Sequence, residues 1–186
     1  MQRVLPVLSA LLLLAYPFAV FFGLRHWGLA GIAPLLLALF FLRLLQRRPP
    51  VRPLAVSSAL AALTGIILVL LAWVFRQNNW LLFYPVAVNV LLLAIFAVSL
   101  RRPPSVIERL ARLSHPDLPE AGVRYTRRVT QVWCGFFLLN GTVALFTALR
   151  GDLALWTLYN GAISYALMGI LFAGEYFLRR KLLAEK

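Results

Sequence analysis

Six apolar runs, each about as long as a bilayer is thick, leave this chain few folds to choose from. A helix rises about 1.5 Å per residue, so about 20 apolar residues cross the hydrocarbon core. The runs are Val4 to Leu24, Gly28 to Leu45, Leu54 to Phe75, Leu81 to Leu100, Val129 to Leu149 and Leu153 to Leu178. None alternates apolar with polar residues as a barrel strand does. Of the 186 residues, 62% are hydrophobic and 13% charged, whereas a soluble domain is about half apolar and about a quarter charged. The expectation is an all-α integral membrane bundle of six transmembrane helices in a single domain, 1–186. The first run is too long for a signal-peptide core and is followed by further runs, so it is expected to stay as a span. The second run is the weakest: its uncharged part stops at Leu42, and Arg43 is expected to snorkel to the interface.

Charge sets the orientation. Nineteen Lys and Arg against six Asp and Glu give a net charge of +13. In a soluble protein that would suggest nucleic acid; here the cations punctuate apolar runs, so the lipid bilayer is the expected partner, and no nucleic acid. All but Arg25, Arg76 and Arg150 fall on one set of loops and tails. The positive-inside rule puts that set, with both termini, in the cytoplasm. The outer turns each pair one Arg with a Trp (Trp27, Trp80 and Trp156), and the inner ends repeat Arg-Arg, twice followed by Pro-Pro. Three consecutive helical hairpins are predicted. Interface chemistry alone accounts for much of that echo, so a true internal repeat stays open.

The connection 101–128 is the one loop long enough for structure of its own. Ser105-Val106-Ile107-Glu108 fits a capping box, with the hydroxyl on the Glu108 amide and the carboxylate reaching back. A short amphipathic helix over about 105–114 is predicted, with Val106, Ile107, Leu110 and Leu113 on one side and Glu108, Arg109 and Arg112 on the other. Such a basic helix beside a bilayer either lies on the membrane surface or docks a cytoplasmic or membrane protein partner. Pro116 and Pro119 end it.

Polar residues inside the spans are few, and costly enough to be informative. Asn89, Asn140, Tyr159 and Asn160 are placed in the outer half of the bundle as a candidate polar layer. Asn140 and Asn160, each followed by glycine, are expected to face one another. They either hold helices together or line a site. Glu175 and Arg179, four apart on one helix face, form an expected ion pair at the interface. Ala162, Ala166, Gly169 and Ala173 make a small-residue groove suited to close helix packing. The single Cys134 excludes an intrachain disulfide, and His26 and His115 are too far apart to add a metal site. No nucleophile elbow, phosphate loop or paired carboxylates occur. Catalysis, a metal and a cofactor are not expected.

Arg102-Pro103, Val106-Ile107-Glu108-Arg109-Leu110, Val132-Trp133, Phe136-Phe137, Asn140-Gly141 and Trp156 resemble a group of uncharacterised bacterial inner-membrane proteins, encoded near fatty-acid or aryl-polyene ketosynthase genes. The strong part covers about residues 101 to 178. More distantly, Tyr16-Pro17-Phe18 and Trp133-Cys134-Gly135-Phe136-Phe137 are similar to the intracellular septation protein A family. The Arg-Arg-Pro-Pro loops and Asn-Gly pairs depart from that second pattern. The resemblance implies a bacterial inner-membrane, cell-envelope protein and carries no catalytic residues. The leading expectation is a non-enzymatic accessory or scaffold of cell-envelope or lipid-related processes. The alternatives are a small transporter or flippase for a lipid-like molecule, and a membrane subunit of an acyl-chain biosynthetic system.

Overall fold

A computed structural model describes residues 15–46 and 51–184. Among the described residues every regular element is helical. In chain order they are α1 (Tyr16–His26), α2 (Gly28–Leu45), α3 (Arg52–Phe75), a 3₁₀ segment (Asn78–Phe83), α4 (Tyr84–Arg101), α5 (Val106–Arg112), α6 (Glu120–Arg150), α7 (Leu153–Leu158), a π turn (Tyr159–Ile163) and α8 (Ser164–Ala184). Among the described residues five stretches are long and apolar enough to cross a membrane: Gly28–Leu45, Pro53–Phe75, Asn78–Arg101, Glu120–Arg150 and Leu153–Arg180. The chain is a membrane-embedded, multi-pass helical protein. Of the first expected span, residues 4 to 14 lie outside the described residues and the remainder enters α1.

Three runs differ in detail from simple helices. The fourth opens as a 3₁₀ segment because Pro85, in the first turn of α4, has no N–H to give the Leu81 carbonyl. That carbonyl accepts the Tyr84 N–H and, at 2.9 Å, the Tyr16 hydroxyl. The Leu82 carbonyl accepts the Trp156 indole N–H at 2.9 Å. Two distant helices thereby satisfy a break in a third, where water is not at hand to do so. The fifth run is longer than expected: α6 begins at Glu120, so the last part of the 101–128 connection is helix rather than loop. The sixth is interrupted by the π turn, whose Ser164 N–H bonds five residues back to Tyr159.

An aromatic core forms where these breaks meet. Tyr16, Phe40 and Trp156 are buried, and the Tyr16 ring lies 4.6 Å from that of Tyr84 and 6.0 Å from that of Phe40. Phe40 fits a notch at Gly65 of α3, where a Cβ would collide with the ring. A second core, nearer the opposite end, joins Phe96, Val106, Trp133 and Phe137. The largest helix contact is α4 on α6, and α2 also packs closely on α3. Both contacts join neighbouring expected hairpins. The small-residue positions Ala162, Ala166, Gly169 and Ala173 are all exposed, so their groove receives no described helix of this chain.

Candidate functional site

Asn89, Asn140 and Tyr159 come together where α4, α6 and the π turn meet. The Asn140 amide donates to Asn89 Oδ1 at 3.1 Å, and the Tyr159 hydroxyl donates to Asn140 Oδ1 at 3.0 Å. Asn89 Nδ2 turns back to the Pro85 carbonyl at 2.8 Å. Gly141 permits the approach, since a Cβ there would sit 3.0 Å from the Asn89 Cβ. Each amide thus spends its groups on protein partners inside the bundle.

Asn160 does not complete this chain. Instead of facing Asn140, its amide donates to Thr147 Oγ1 at 3.2 Å and to the Trp156 carbonyl at 2.9 Å. Asn160 lies within the π turn Tyr159–Ile163, one residue after Tyr159, which reaches Asn140. Its neighbour Gly161 meets the Phe18 ring of α1. The four expected residues therefore form two separate hydrogen-bonded groups.

A cavity that sequence reasoning missed lies elsewhere. Between α2, α3 and α4 lies a cavity of about 290 Å³ lined by Arg43, Ser57, Ser58, Tyr84 and apolar residues including Ala61 and Leu92. Its wall on α4 starts at Tyr84, seventeen residues before Arg101, and on α3 it begins near the Arg52 end. Arg43, expected only to snorkel, presents one face of its side chain to this cavity and donates to Gln46 Oε1 at 3.1 Å. Ser57 donates to the Leu54 carbonyl at 2.9 Å. The hydroxyls of Ser58 and Tyr84 make no hydrogen bond among the described residues, although Tyr84 is only 8% exposed. The available signal was an arginine inside an apolar run followed, one helix later, by Ser57-Ser58.

The loop helix forms where expected but turns a different face inward. Ser105 Oγ accepts the Glu108 N–H at 3.3 Å. The Glu108 carboxylate does not close the capping box; it takes Arg112 Nε and Nη2 at 3.0 and 2.9 Å. Val106 and Glu108 are buried, with Ile107 packed beside Trp133 and Phe137, whereas Leu110 and Leu113 are exposed. Docking of α5 on α6 explains the change, because the neutralised Glu108 goes inward with Val106. Arg109 Nε donates to the Pro104 carbonyl at 2.8 Å. Arg127 tethers the base of the loop by donating to the Leu100 carbonyl at 2.9 Å.

Glu175 and Arg179 lie 3.8 Å apart. The carboxylate also accepts the Tyr125 hydroxyl at 3.3 Å, a link between α6 and α8 that spacing alone did not reveal. No protein-family model, curated protein or solved structure matches the chain.

Proposed function

We propose that the chain is a six-span bacterial inner-membrane protein with cytoplasmic termini, acting as a non-enzymatic accessory or scaffold in cell-envelope or lipid-related processes. The observation that carries this reading is the internal satisfaction of the buried amides. A transport path built on Asn89, Asn140 and Asn160 needs amide groups turned to a passage, and here they are turned to Pro85, Tyr159, Thr147 and each other. The exposed Leu110 of α5 and Leu113 just after it, beside the basic Arg109, leave a cytoplasmic face for a protein partner. Handling of a lipid-like molecule is a second reading, favoured by the Arg43 cavity alone.

The amides supply the test. Asn140→Ala is expected to lower stability in detergent by about 0.6–2 kcal/mol, the range for interhelical hydrogen bonds in membranes. Asn89→Ala and Asn140→Ala together should cost less than the sum, because they share one bond. Complementation should fall in parallel with the melting temperature. Loss of complementation at unchanged melting temperature would overturn the scaffold reading and make the amides a site.

Orientation is tested separately. Reporter fusions after Lys186 and within 101–128 should report cytoplasmic, and fusions at Gln77 or Gly151 periplasmic. A periplasmic C-terminus would remove the six-span count.

A further inference from the structure

We propose that the junction of α4 and α6 binds the headgroup of an acidic phospholipid from the cytoplasmic leaflet, held by Arg101, Arg102 and Arg128. The leaflet rests on the orientation proposed above; the site itself does not depend on it.

One hydrogen bond gathers the three cations. Arg127, near the start of α6, donates to the Leu100 carbonyl near the end of α4 at 2.9 Å. The next residue on one side of that bond is Arg128, and on the other come Arg101 and then Arg102. All three are exposed, and none of their side chains makes a hydrogen bond, ion pair or ring contact with the described residues. Arg109, Arg112 and Arg127 differ in this, being committed to carbonyls or to Glu108.

Among the described residues no carboxylate pairs with the three. The one acidic residue of α5, of α6 and of α8 is in each case with a different arginine: Glu108 with Arg112, Glu120 with Arg124, and Glu175 with Arg179. Asp117, in the turn after α5, is exposed and forms no ion pair with them. Like charges held together without a counter-ion repel one another, so an anion seated among them is favoured.

Depth selects the anion. Leu100 ends the fourth apolar run and Val129 opens the fifth, so the three cations stand at the hydrocarbon boundary. Close by, Phe96, Trp133 and Phe137 pack with Val106 into an apolar core. Lipid phosphates lie at this level, where arginine lays its stem along apolar surface and extends its head into the headgroups. A guanidinium fork takes phosphate oxygens two at a time, and basic clusters so placed concentrate acidic lipids. A soluble acidic partner would have to enter the headgroup layer, whereas a lipid is already there.

The test is native mass spectrometry of the full chain in detergent, with phosphatidylglycerol, phosphatidylcholine or inorganic phosphate added singly at equal concentration. Phosphatidylglycerol should be retained in preference to the other two. Arg128→Gln should weaken its retention about fivefold. Replacing Arg101, Arg102 and Arg128 together by Gln should weaken it about a hundredfold, the scale expected for three cations near an acidic surface. All three side chains are exposed, so the melting temperature should stay the same. Replacing Arg25, Arg76 and Arg150 by Gln removes the same charge from the other set of turns and should leave retention unaltered. An equal loss in that control overturns the site, because the effect is then one of net charge. Equal retention of both phospholipids by the unmodified chain overturns it as well, and would leave the cations to an acidic protein surface. Inorganic phosphate retained as well as phosphatidylglycerol overturns the lipid assignment in favour of a free phosphate. If the triple variant fails to fold, Arg128→Gln decides alone, and unaltered retention overturns the proposal. The fusion experiment keeps the two readings apart. Reversed termini would overturn the leaflet while leaving selectivity in detergent intact, and lost selectivity with correct termini removes the lipid site alone.

Discussion

Trp156→Ala is expected to destabilise the detergent-solubilised protein by about 3–5 kcal/mol, the usual range for truncating a packed tryptophan. Trp156 is fully buried, and its ring lies 6.4 Å from that of Tyr16. Its indole also supplies the Leu82 carbonyl with a donor. Truncation therefore removes packing and hydrogen bonding together. Trp156→Phe separates the two, since most of the ring remains and only the donor is lost. That variant should cost about 1–3 kcal/mol, the penalty for one buried acceptor left unsatisfied. Thermal unfolding followed by circular dichroism measures both. A Phe variant as stable as the parent would mean that the Leu82 carbonyl does not depend on the indole.

Gly65→Leu should be the most damaging change on α3. Phe40 occupies the space that a larger residue would need, and it is itself fully buried against Tyr16 and Tyr84. Overpacking of this kind costs about 1–3 kcal/mol. Phe40→Ala alone should cost about 3–5 kcal/mol, by leaving a void. The two combined should cost clearly less than their sum, because the leucine then fills the space of the absent ring. Additive losses would show that the notch and the ring do not compete for the same volume.

The membrane class was legible because apolar runs leave no competing reading, and the cap at Ser105 was legible because a cap is a local matter. Asn89, Asn140 and Tyr159 were legible as polar groups inside apolar runs. Their pairing was not, because it depends on helix rotation. Asn160 turns to Thr147 rather than to Asn140, and nothing local in Tyr159-Asn160-Gly161 announces that choice. Glu108 illustrates a different limit. Helical periodicity puts it on the polar face, yet Arg112 one turn later neutralises it well enough for burial beside Val106. Arg43 reads locally as a cation on its way to the interface, since the partners that define its cavity lie on α3 and α4. The clearest missed signal was Pro85: a proline in the first turn of α4 removes a backbone donor, and the Leu81 and Leu82 carbonyls just before it take side-chain donors from Tyr16 and Trp156.

These two carbonyls have a consequence for biogenesis. The chain enters the membrane from its N-terminus, so Tyr16 is already available when Leu81 arrives, and the Tyr16 hydroxyl can cover Leu81 at once. Leu82 must wait for Trp156, which is made seventy-four residues later. Until then the Leu82 carbonyl, at the opening of α4, is without its indole donor. Arrival of the last helices is therefore the event that locks the earlier ones. A chain cut short before Trp156 would leave the Leu82 carbonyl without that donor in a setting where water is scarce.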